Sequence, residues 1–440
     1  NLSNHMYDAV IIGAGPAGYV CAISLARKGA KVCVIEKNGL GGTCTQRGCI
    51  PTKYLHSMGD IVRKAKSAKK FGINSNIEID YTILMTKMRS TVSKLASGIS
   101  FLLKQYDIEL INGEANIKSQ NQVVVNNSTL ETKNIVLATG SKPKSFATDK
   151  LDDKIISTDS IFELENLPES VLIVGGGYSG CEFASILNVL GCKIWLIEME
   201  DSLLPTQPKE VGAAIEKYMK LDGISVRTNS SMKITDDGKI MVNDDEINTE
   251  KVLISIGRQP NFNRNQLDGL GIIWNENGIR VNKHMQTSIS NIYAIGDITG
   301  KYELAHVASY QGEIAAQNIL GEKSEIDYSV IPYCIFTYPE VAIVGKCSGN
   351  SKEFPMVVNA KANCLGDTRG FIKVFEENGI LQGVIMVGAH SSEIIGEAAL
   401  AVKLKLKPKD IIETIHAHPT LPEAFVDALR SLDGKSIHTS

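Results

Sequence analysis

The chain has 440 residues with little net charge, few aromatic residues and no framework of paired cysteines. Each absence removes a class of protein. A formal charge of -3 offers no electrostatic footprint for nucleic acid or a strongly anionic surface. No apolar run approaches the ~20 residues that span a bilayer, and no signal-peptide pattern opens the chain, so no membrane partner is expected. The nine cysteines (Cys21, Cys33, Cys44, Cys49, Cys181, Cys192, Cys334, Cys347 and Cys364) are odd in number, and only one pair is closely spaced. That usage suits a reducing compartment, either the cytoplasm or an organelle matrix, and argues against a secreted disulfide scaffold. No His/Cys grouping has the spacing of a structural zinc site, so no metal is expected. Low-complexity stretches and repeat arrays are also missing. Residues 1–5 look like a short frayed start and are set aside from fold reasoning.

What is present begins with that one pair, in Gly42-Thr43-Cys44-Thr45-Gln46-Arg47-Gly48-Cys49-Ile50-Pro51-Thr52-Lys53. An ideal helix holds residues five apart at roughly 8–9 Å. A disulfide needs about 4.4–6.8 Å between Cα atoms. A bond between Cys44 and Cys49 therefore requires a distorted first turn, and Gly48 supplies the backbone freedom. Such a pair beside a bound redox cofactor can pass two electrons by thiol–disulfide exchange. The alternative is two buried cysteines that happen to be neighbours.

The length suits two to four domains. The chain opens as strand (Tyr7 to Ile12), turn (Gly13-Ala14-Gly15-Pro16-Ala17-Gly18), helix through about Lys28, and strand (Lys31 to Ile35) ending at Glu36. The same grammar returns as strand (Val171 to Val174), turn (Gly175-Gly176-Gly177-Tyr178-Ser179-Gly180), helix to about Leu190, and strand (Lys193 to Ile197) ending at Glu198. Between them lies a lysine-rich helical region, about Met58 to Gln105, then short strands at Val123 to Val125 and Ile135 to Ala138. Asn291 to Asp297 reads as a strand ending in Gly-Asp. From about Tyr328 the pattern turns α+β, with strands Gly370 to Phe375 and Gln382 to Val387 and helices Ser391 to Lys403 and Pro408 to Thr414.

Two glycine-rich strand–turn–helix units imply two dinucleotide sites on Rossmann-like folds. In each, the first glycine (Gly13, Gly175) permits the tight turn and the second (Gly15, Gly177) lets backbone approach a pyrophosphate. The third (Gly18, Gly180) allows close helix–strand packing, with free helix N–H groups facing the phosphate. Glu36 and Glu198 would accept hydrogen bonds from an adenosine ribose. Glu198 is followed by Met199, Glu200 and Asp201, and no nearby arginine would receive a 2′-phosphate, so the second site should prefer NAD over NADP. Thr139-Gly140 and Gly257 stand where the chain would cross between nucleotide domains, and Asp297 could hold a flavin ribityl hydroxyl.

With these elements read, the chain resembles the flavoprotein disulfide reductases over nearly its whole length, and within them the dihydrolipoamide dehydrogenases. The motifs are Gly13 to Tyr19, Gly41 to Lys53, Gly175 to Glu182, Ser255 to Asn261, Ala294 to Asp297, Thr337-Tyr338-Pro339-Glu340 and His416-Ala417-His418-Pro419-Thr420-Leu421-Pro422-Glu423. The resemblance implies an FAD-binding domain over 1–147, an NAD-binding domain over 148–265, a central part completing the FAD site over 266–327, and an interface domain over 328–440. It implies that Cys44 is the interchange thiol and that Cys49 lies against the flavin as a charge-transfer thiolate. Lys53 would lie near flavin N5 and pair with Glu182. His418, oriented by Glu423, would be the acid/base and come from the second subunit of a homodimer. Gly42, Thr43, Ala115 and Ala305 would touch FAD, the last two through backbone. His416 reads as a non-catalytic surface residue. The implied reaction oxidises dihydrolipoyl groups and reduces NAD+, serving 2-oxo acid dehydrogenase or glycine-cleavage complexes, with the lipoyl domain supplied by another chain.

The roles agree with the chemistry. Attack on a disulfide needs a thiolate, so a nearby base raises the reactive fraction. An imidazole has the right unperturbed pKa, and a carboxylate fixes its tautomer. Two features depart from the family pattern. The segment Gly345 to Pro355 is short where an extra helix is usual, and Tyr178 replaces an aliphatic residue. The Tyr178 ring could cover the flavin until nicotinamide binds, or it could simply pack. The nearest rival is a reductase of another small disulfide, such as glutathione, against which Glu198 argues. The tail Arg430 to Ser440 has no cysteine pair, which disfavours mercuric reductases and large thioredoxin reductases. A non-catalytic scaffold subunit is the rival from another class, and the intact cysteine and His/Glu pairs speak against it.

Overall fold

A computed structural model describes residues 6–146 and 153–439; the residues set aside at the start, and the 147/148 boundary, lie outside them. The first glycine-rich unit builds a parallel sheet with Tyr7–Ile12 at its centre. Val32–Glu36 and then Glu109–Asn112 lie on one side, and Ser128–Leu137 and then Ile292–Ala294 on the other. Two short strands, Asn116–Ser119 and Gln122–Val125, continue as an antiparallel meander from Ser128–Leu137. The second unit repeats the plan, with Ser170–Val174 central. Lys193–Ile197 and Ser225–Arg227 flank one side, and Lys251–Ile254 and Ile155–Ser157 the other, all parallel. Helices cover such sheets on both faces, so the central strands are mostly apolar; Val10, Ile11, Leu172 and Ile173 have no exposed surface.

The two units are joined by a ribbon. Ser141–Pro143 leaves the first and Arg258–Pro260 returns to it, and these two stretches pair antiparallel. Lys144 N–H donates to the Gly257 carbonyl at 3.0 Å just beyond the ribbon.

The third sheet is antiparallel, in the order Tyr333–Ile335, Glu340–Gly345, Ile380–Gly388, Phe371–Glu377, Asn350–Pro355. Helices Ser391–Lys403 and Glu423–Leu432 bury Ile394, Ile395, Phe425 and Leu429 against it. Burying one such side chain is worth about 1.5–3 kcal/mol. The short Gly345 to Pro355 segment carries a turn and an edge strand in place of a helix.

Several boundaries differ from expectation. The helical region expected over Met58 to Gln105 is two helices, Cys49–Ser67 and Tyr81–Gln105. Gly72, at φ +79°, ends the short 3-10 turn after the first, and Asp80 caps the second by accepting Ile83 N–H at 2.9 Å. The second helix then buries Met85, Met88, Val92, Ile99 and Leu103, the three-and-four spacing of one helical face. The first fingerprint helix stops at Ala26, not Lys28, and the Pro408 helix at Ile412, not Thr414. Among the described residues no helix is long and apolar enough to cross a membrane, and no group of three or more His, Cys, Asp or Glu could hold a metal.

Candidate active site

Both fingerprints fold to nearly one geometry. Gly13 has φ +105° and Gly175 φ +109°. A Cβ on either would meet a carbonyl oxygen of the neighbouring strand's end, Ala138 at 2.3 Å or Ser255 at 2.2 Å. A Cβ on Gly18 or Gly180 would stand 1.9 Å from the carbonyl oxygen of its own first glycine, so these glycines serve packing. The middle glycines differ. A Cβ on Gly15 would have no neighbour nearer than 3.8 Å, and one on Gly177 none within 4 Å. Each begins a helix whose first-turn N–H groups face that open space.

The acidic strand tips are also alike. Glu36 accepts Ala14 N–H at 2.8 Å and Asn38 N–H at 2.6 Å. Glu198 accepts Gly176 N–H at 2.6 Å and Glu200 N–H at 2.9 Å. An ionised carboxylate has about four acceptor positions, so each retains capacity for a ribose diol.

A cavity of about 680 Å³ runs beside the first fingerprint and is lined by Gly13, Gly15, Glu36, Gly42, Thr43, Cys44, Cys49, Lys53, Ala115, Thr139, Gly140, Asp297 and Ala305. Its size is that of a small-molecule or cofactor site. An open helix N-terminus, a carboxylate with acceptor capacity left at one end and a thiol pair at the other fit FAD. Gly18 packs behind it. Gly175, Gly177, Gly180, Glu198 and Gly257 are not among its lining residues, whereas Tyr178, expected with the NAD set, lines it. Tyr178 is the first residue of the second fingerprint helix, so it stands at the seam of the two sites, and its hydroxyl donates to Glu303 at 3.4 Å.

Gly48 breaks the helix between the cysteines. Cys44 lies in Gly42–Arg47, Cys49 opens Cys49–Ser67, and Gly48 between them has φ -138° and ψ -106°. A Cβ there would stand 2.8 Å from the Thr43 carbonyl oxygen. The break brings the two side chains into hydrogen-bond contact, as free thiols. That contact with Cys49, joined by burial, drives the Cys44 thiol far up. The same hydrogen bond holds Cys49 down against its own burial, with further help from the Lys53 ammonium.

Three parts of the chain meet at Lys53. Its Nζ lies 2.9 Å and 3.1 Å from the two Glu182 oxygens and 4.6 Å from the centre of the Phe336 ring. Glu182, buried on the second fingerprint helix, also accepts Phe336 N–H at 3.0 Å. Burial works against the Lys53 charge, but the Glu182 carboxylate outweighs it and keeps the ammonium above its usual range. At the far side, Ser141 Oγ donates to Asp297 Oδ2 at 2.6 Å, and burial raises the Asp297 carboxyl despite that bond.

His418 is built as expected but stands apart. Its Nδ1 is 2.9 Å from Glu423 Oε1, and Glu423 Oε2 accepts Thr420 N–H at 2.7 Å. Burial opposes ionisation of Glu423, yet the Thr420 N–H and the His418 ring hold it below the usual carboxylate range. The His418 side chain is 70% exposed in the single chain and is not among the cavity's lining residues. His416, read as a non-catalytic surface residue, is half-buried and hydrogen-bonded, with Nε2 at 2.7 Å from Glu397 Oε1. Sequence reasoning missed Arg47, Ser141, Asp159, Arg258 and Glu303, all of which line the cavity. Arg47 and Arg258 sat inside quoted motifs; the others carry no local signal.

The comparisons converge. The family model "Pyridine nucleotide-disulphide oxidoreductase" matches residues 7–312, and its dimerisation domain matches residues 331–429. A dihydrolipoyl dehydrogenase of Chlamydia pneumoniae is 38% identical over 98% of both chains. One of Bacillus subtilis is 36% identical over 98% of this chain and 99% of its own. The solved structure of LpdA from Mycobacterium tuberculosis is similar at a TM-score of 0.88 and 25% identity, over 96% of this chain and 99% of that one. The flavoprotein disulfide reductase RclA from Escherichia coli shares the fold at a TM-score of 0.86. The chain belongs to the pyridine nucleotide-disulphide oxidoreductases, flavoenzymes that use FAD and NAD.

Proposed function

We propose that the chain is a dihydrolipoyl dehydrogenase: a dihydrolipoyl group and NAD+ become a lipoyl group, NADH and a proton. The observation that carries this is the Cys44–Cys49 pair held in contact beside Lys53, in a chain at least a third identical to curated dihydrolipoyl dehydrogenases along 98% of its length. A substrate thiolate attacks Cys44 of the oxidised pair, the Cys44–Cys49 bond breaks, and Cys49 leaves as the thiolate that Lys53 stabilises. The second substrate thiol then displaces Cys44, closing the lipoyl ring. His418, supplied by the second copy of a homodimer and steadied by Glu423, takes the protons that the dithiol releases. The dimerisation-domain match supports that assembly. FAD, when bound, supplies the two-electron path from the reduced pair to NAD+. Glu198 and its acidic neighbours favour NAD over NADP.

The reading includes the division at 1–147, 148–265, 266–327 and 328–440, a cytoplasmic location, and service as the E3 component of 2-oxo acid dehydrogenase or glycine-cleavage complexes. Steady-state kinetics test it, with dihydrolipoamide or reduced glutathione as donor and NAD+ or NADP+ as acceptor. Dihydrolipoamide with NAD+ should turn over fastest. Equal or better turnover with glutathione and NADP+ would overturn the assignment.

A further inference from the structure

The cysteine loop is anchored from outside itself. Arg47, the last residue of the short helix that carries Cys44, directly precedes Gly48, where the chain breaks between the thiols. Its Nε lies 3.1 Å from Asp159 Oδ2. Asp159 follows the edge strand Ile155–Ser157 of the second nucleotide sheet, so it is remote from the loop in sequence. Its other oxygen, Oδ1, accepts from Arg258 Nη1 at 2.8 Å. Arg258 lies on the ribbon that joins the two nucleotide units, and its side chain is 12% exposed. It also donates through Nε to Ser141 Oγ at 2.8 Å and through Nη2 to the Ser141 carbonyl at 3.0 Å. Ser141 Oγ in turn donates to Asp297 at 2.6 Å. Both carboxylate oxygens of Asp159 are thus used, one on each side, and all five side chains line one cavity.

We infer that Asp159 is a positioning residue for the redox pair: it clamps Arg47 at the Gly48 break and ties the cysteine loop, through Arg258 and Ser141, to Asp297. The inference rests on the reading of Cys44 and Cys49 as the redox couple. A pair of thiols closes to a disulfide more readily the more firmly the chain holds them in register, because less freedom is lost at closure. A partly buried ion pair, backed by the charge-assisted hydrogen bond that Arg258 gives the same carboxylate, is strong enough to set that register. The Arg47 clamp acts where Gly48 alone would leave the chain loose. Its loss should therefore weaken the disulfide, not the fold.

The test is an equilibrium, read without turnover. The holoenzyme is brought to equilibrium with mixtures of oxidised and reduced dithiothreitol. In the exchange two protein S–H bonds are lost and one S–S bond forms, while the cyclic disulfide of dithiothreitol takes up the two electrons and two protons. Samples are quenched by alkylation, and the peptide holding both cysteines is weighed. Asp159→Ala should lower the equilibrium constant for the Cys44–Cys49 bond by roughly tenfold, a midpoint about 30 mV higher. Arg47→Ala should move the midpoint in the same direction, and the double variant should lose no more than Asp159→Ala alone, because Asp159→Ala already removes the Arg47 contact. Asp159→Asn, which keeps an acceptor oxygen, should lose less. Thermal unfolding should stay near that of the parent in Arg47→Ala, whereas Asp159→Ala, which also deprives the largely buried Arg258 of its carboxylate, should unfold at a lower temperature. An unchanged midpoint in Asp159→Ala and Arg47→Ala overturns the inference, as do additive losses. A lower midpoint in Arg47→Ala overturns it too, since that marks a charge effect on the thiolate in place of a clamp. If Asp159→Ala does not fold, Asp159→Asn and Arg47→Ala carry the test. A parent enzyme that forms no Cys44–Cys49 bond at all refutes the functional reading itself.

Discussion

Substituting two glycines of one turn, Gly177 and Gly180, separates nucleotide binding from folding. At Gly177 the backbone has φ -70°, which alanine adopts freely, and a methyl group there meets nothing within 4 Å. Restricting the unfolded chain stabilises by about 0.4–1 kcal/mol. Replacing glycine by alanine at a helix N-cap costs a comparable amount, so the net change in stability should be close to zero. The new methyl group nevertheless occupies the space that a pyrophosphate needs, and NADH should bind at least ~10-fold more weakly. At Gly180 the methyl group would stand 1.9 Å from the Gly175 carbonyl oxygen, a backbone atom that cannot swing aside. The helix must move off the strand, and overpacking of that kind costs about 1–3 kcal/mol. Denaturant titration reads stability, and the fluorescence of bound NADH reads affinity. Gly177→Ala should move only the second; Gly180→Ala should move both. A Gly177→Ala enzyme that binds NADH as the parent does refutes the pyrophosphate reading. A Gly180→Ala enzyme of parental stability refutes the packing argument.

Lys53→Met removes the ammonium that favours the Cys49 thiolate, so the pH profile for alkylation of the reduced enzyme should move to higher pH and kcat should fall ~10²–10³-fold; an unmoved profile would show that Lys53 acts elsewhere. His418→Gln should reduce dihydrolipoamide turnover ~10²–10⁴-fold while leaving NADH binding intact, and Glu423→Gln should cost less, measured by steady-state kinetics beside NADH titration. Burial opposes the Asp60 charge, but Lys64 and Arg63 hold its carboxyl below the usual range. Its contribution to stability is therefore complete above about pH 4 and is lost as pH falls toward the lower native value. Denaturation midpoints between pH 3 and 7 should drop less steeply with acid in Asp60→Asn. Tyr178→Ala should expose the flavin and change NADH affinity; if flavin quenching and affinity both stay at parental values, Tyr178 merely packs.

The strand–turn–helix units were legible because their glycines are compelled by local geometry: a carbonyl about 2 Å from a would-be Cβ leaves no other residue type. The break at Gly48 was legible for a related reason, since two thiols five residues apart cannot meet on a regular helix. The helix pair around Gly72 and Asp80 reads as one region because lysines recur on both sides of it, although the glycine and the capping aspartate both mark the stop and restart. The short strands Tyr333–Ile335 and Asn116–Ser119 have too few residues to show alternation. The helix Glu423–Leu432 was hidden behind two prolines. What sequence could not give was the clamp on Arg47. Its second link joins residues 99 apart, and its third 117 apart, in contacts that exist only after both nucleotide units are folded.

The ribbon of Ser141–Pro143 and Arg258–Pro260 makes the second glycine-rich unit an insert: the polypeptide departs and comes home through one doorway. A segment anchored that way can be swapped, resized or retuned for another nicotinamide carrier without rerouting anything on the flavin side. Divergence among such enzymes can thus proceed by exchanging cassettes behind an unchanged sulfur centre.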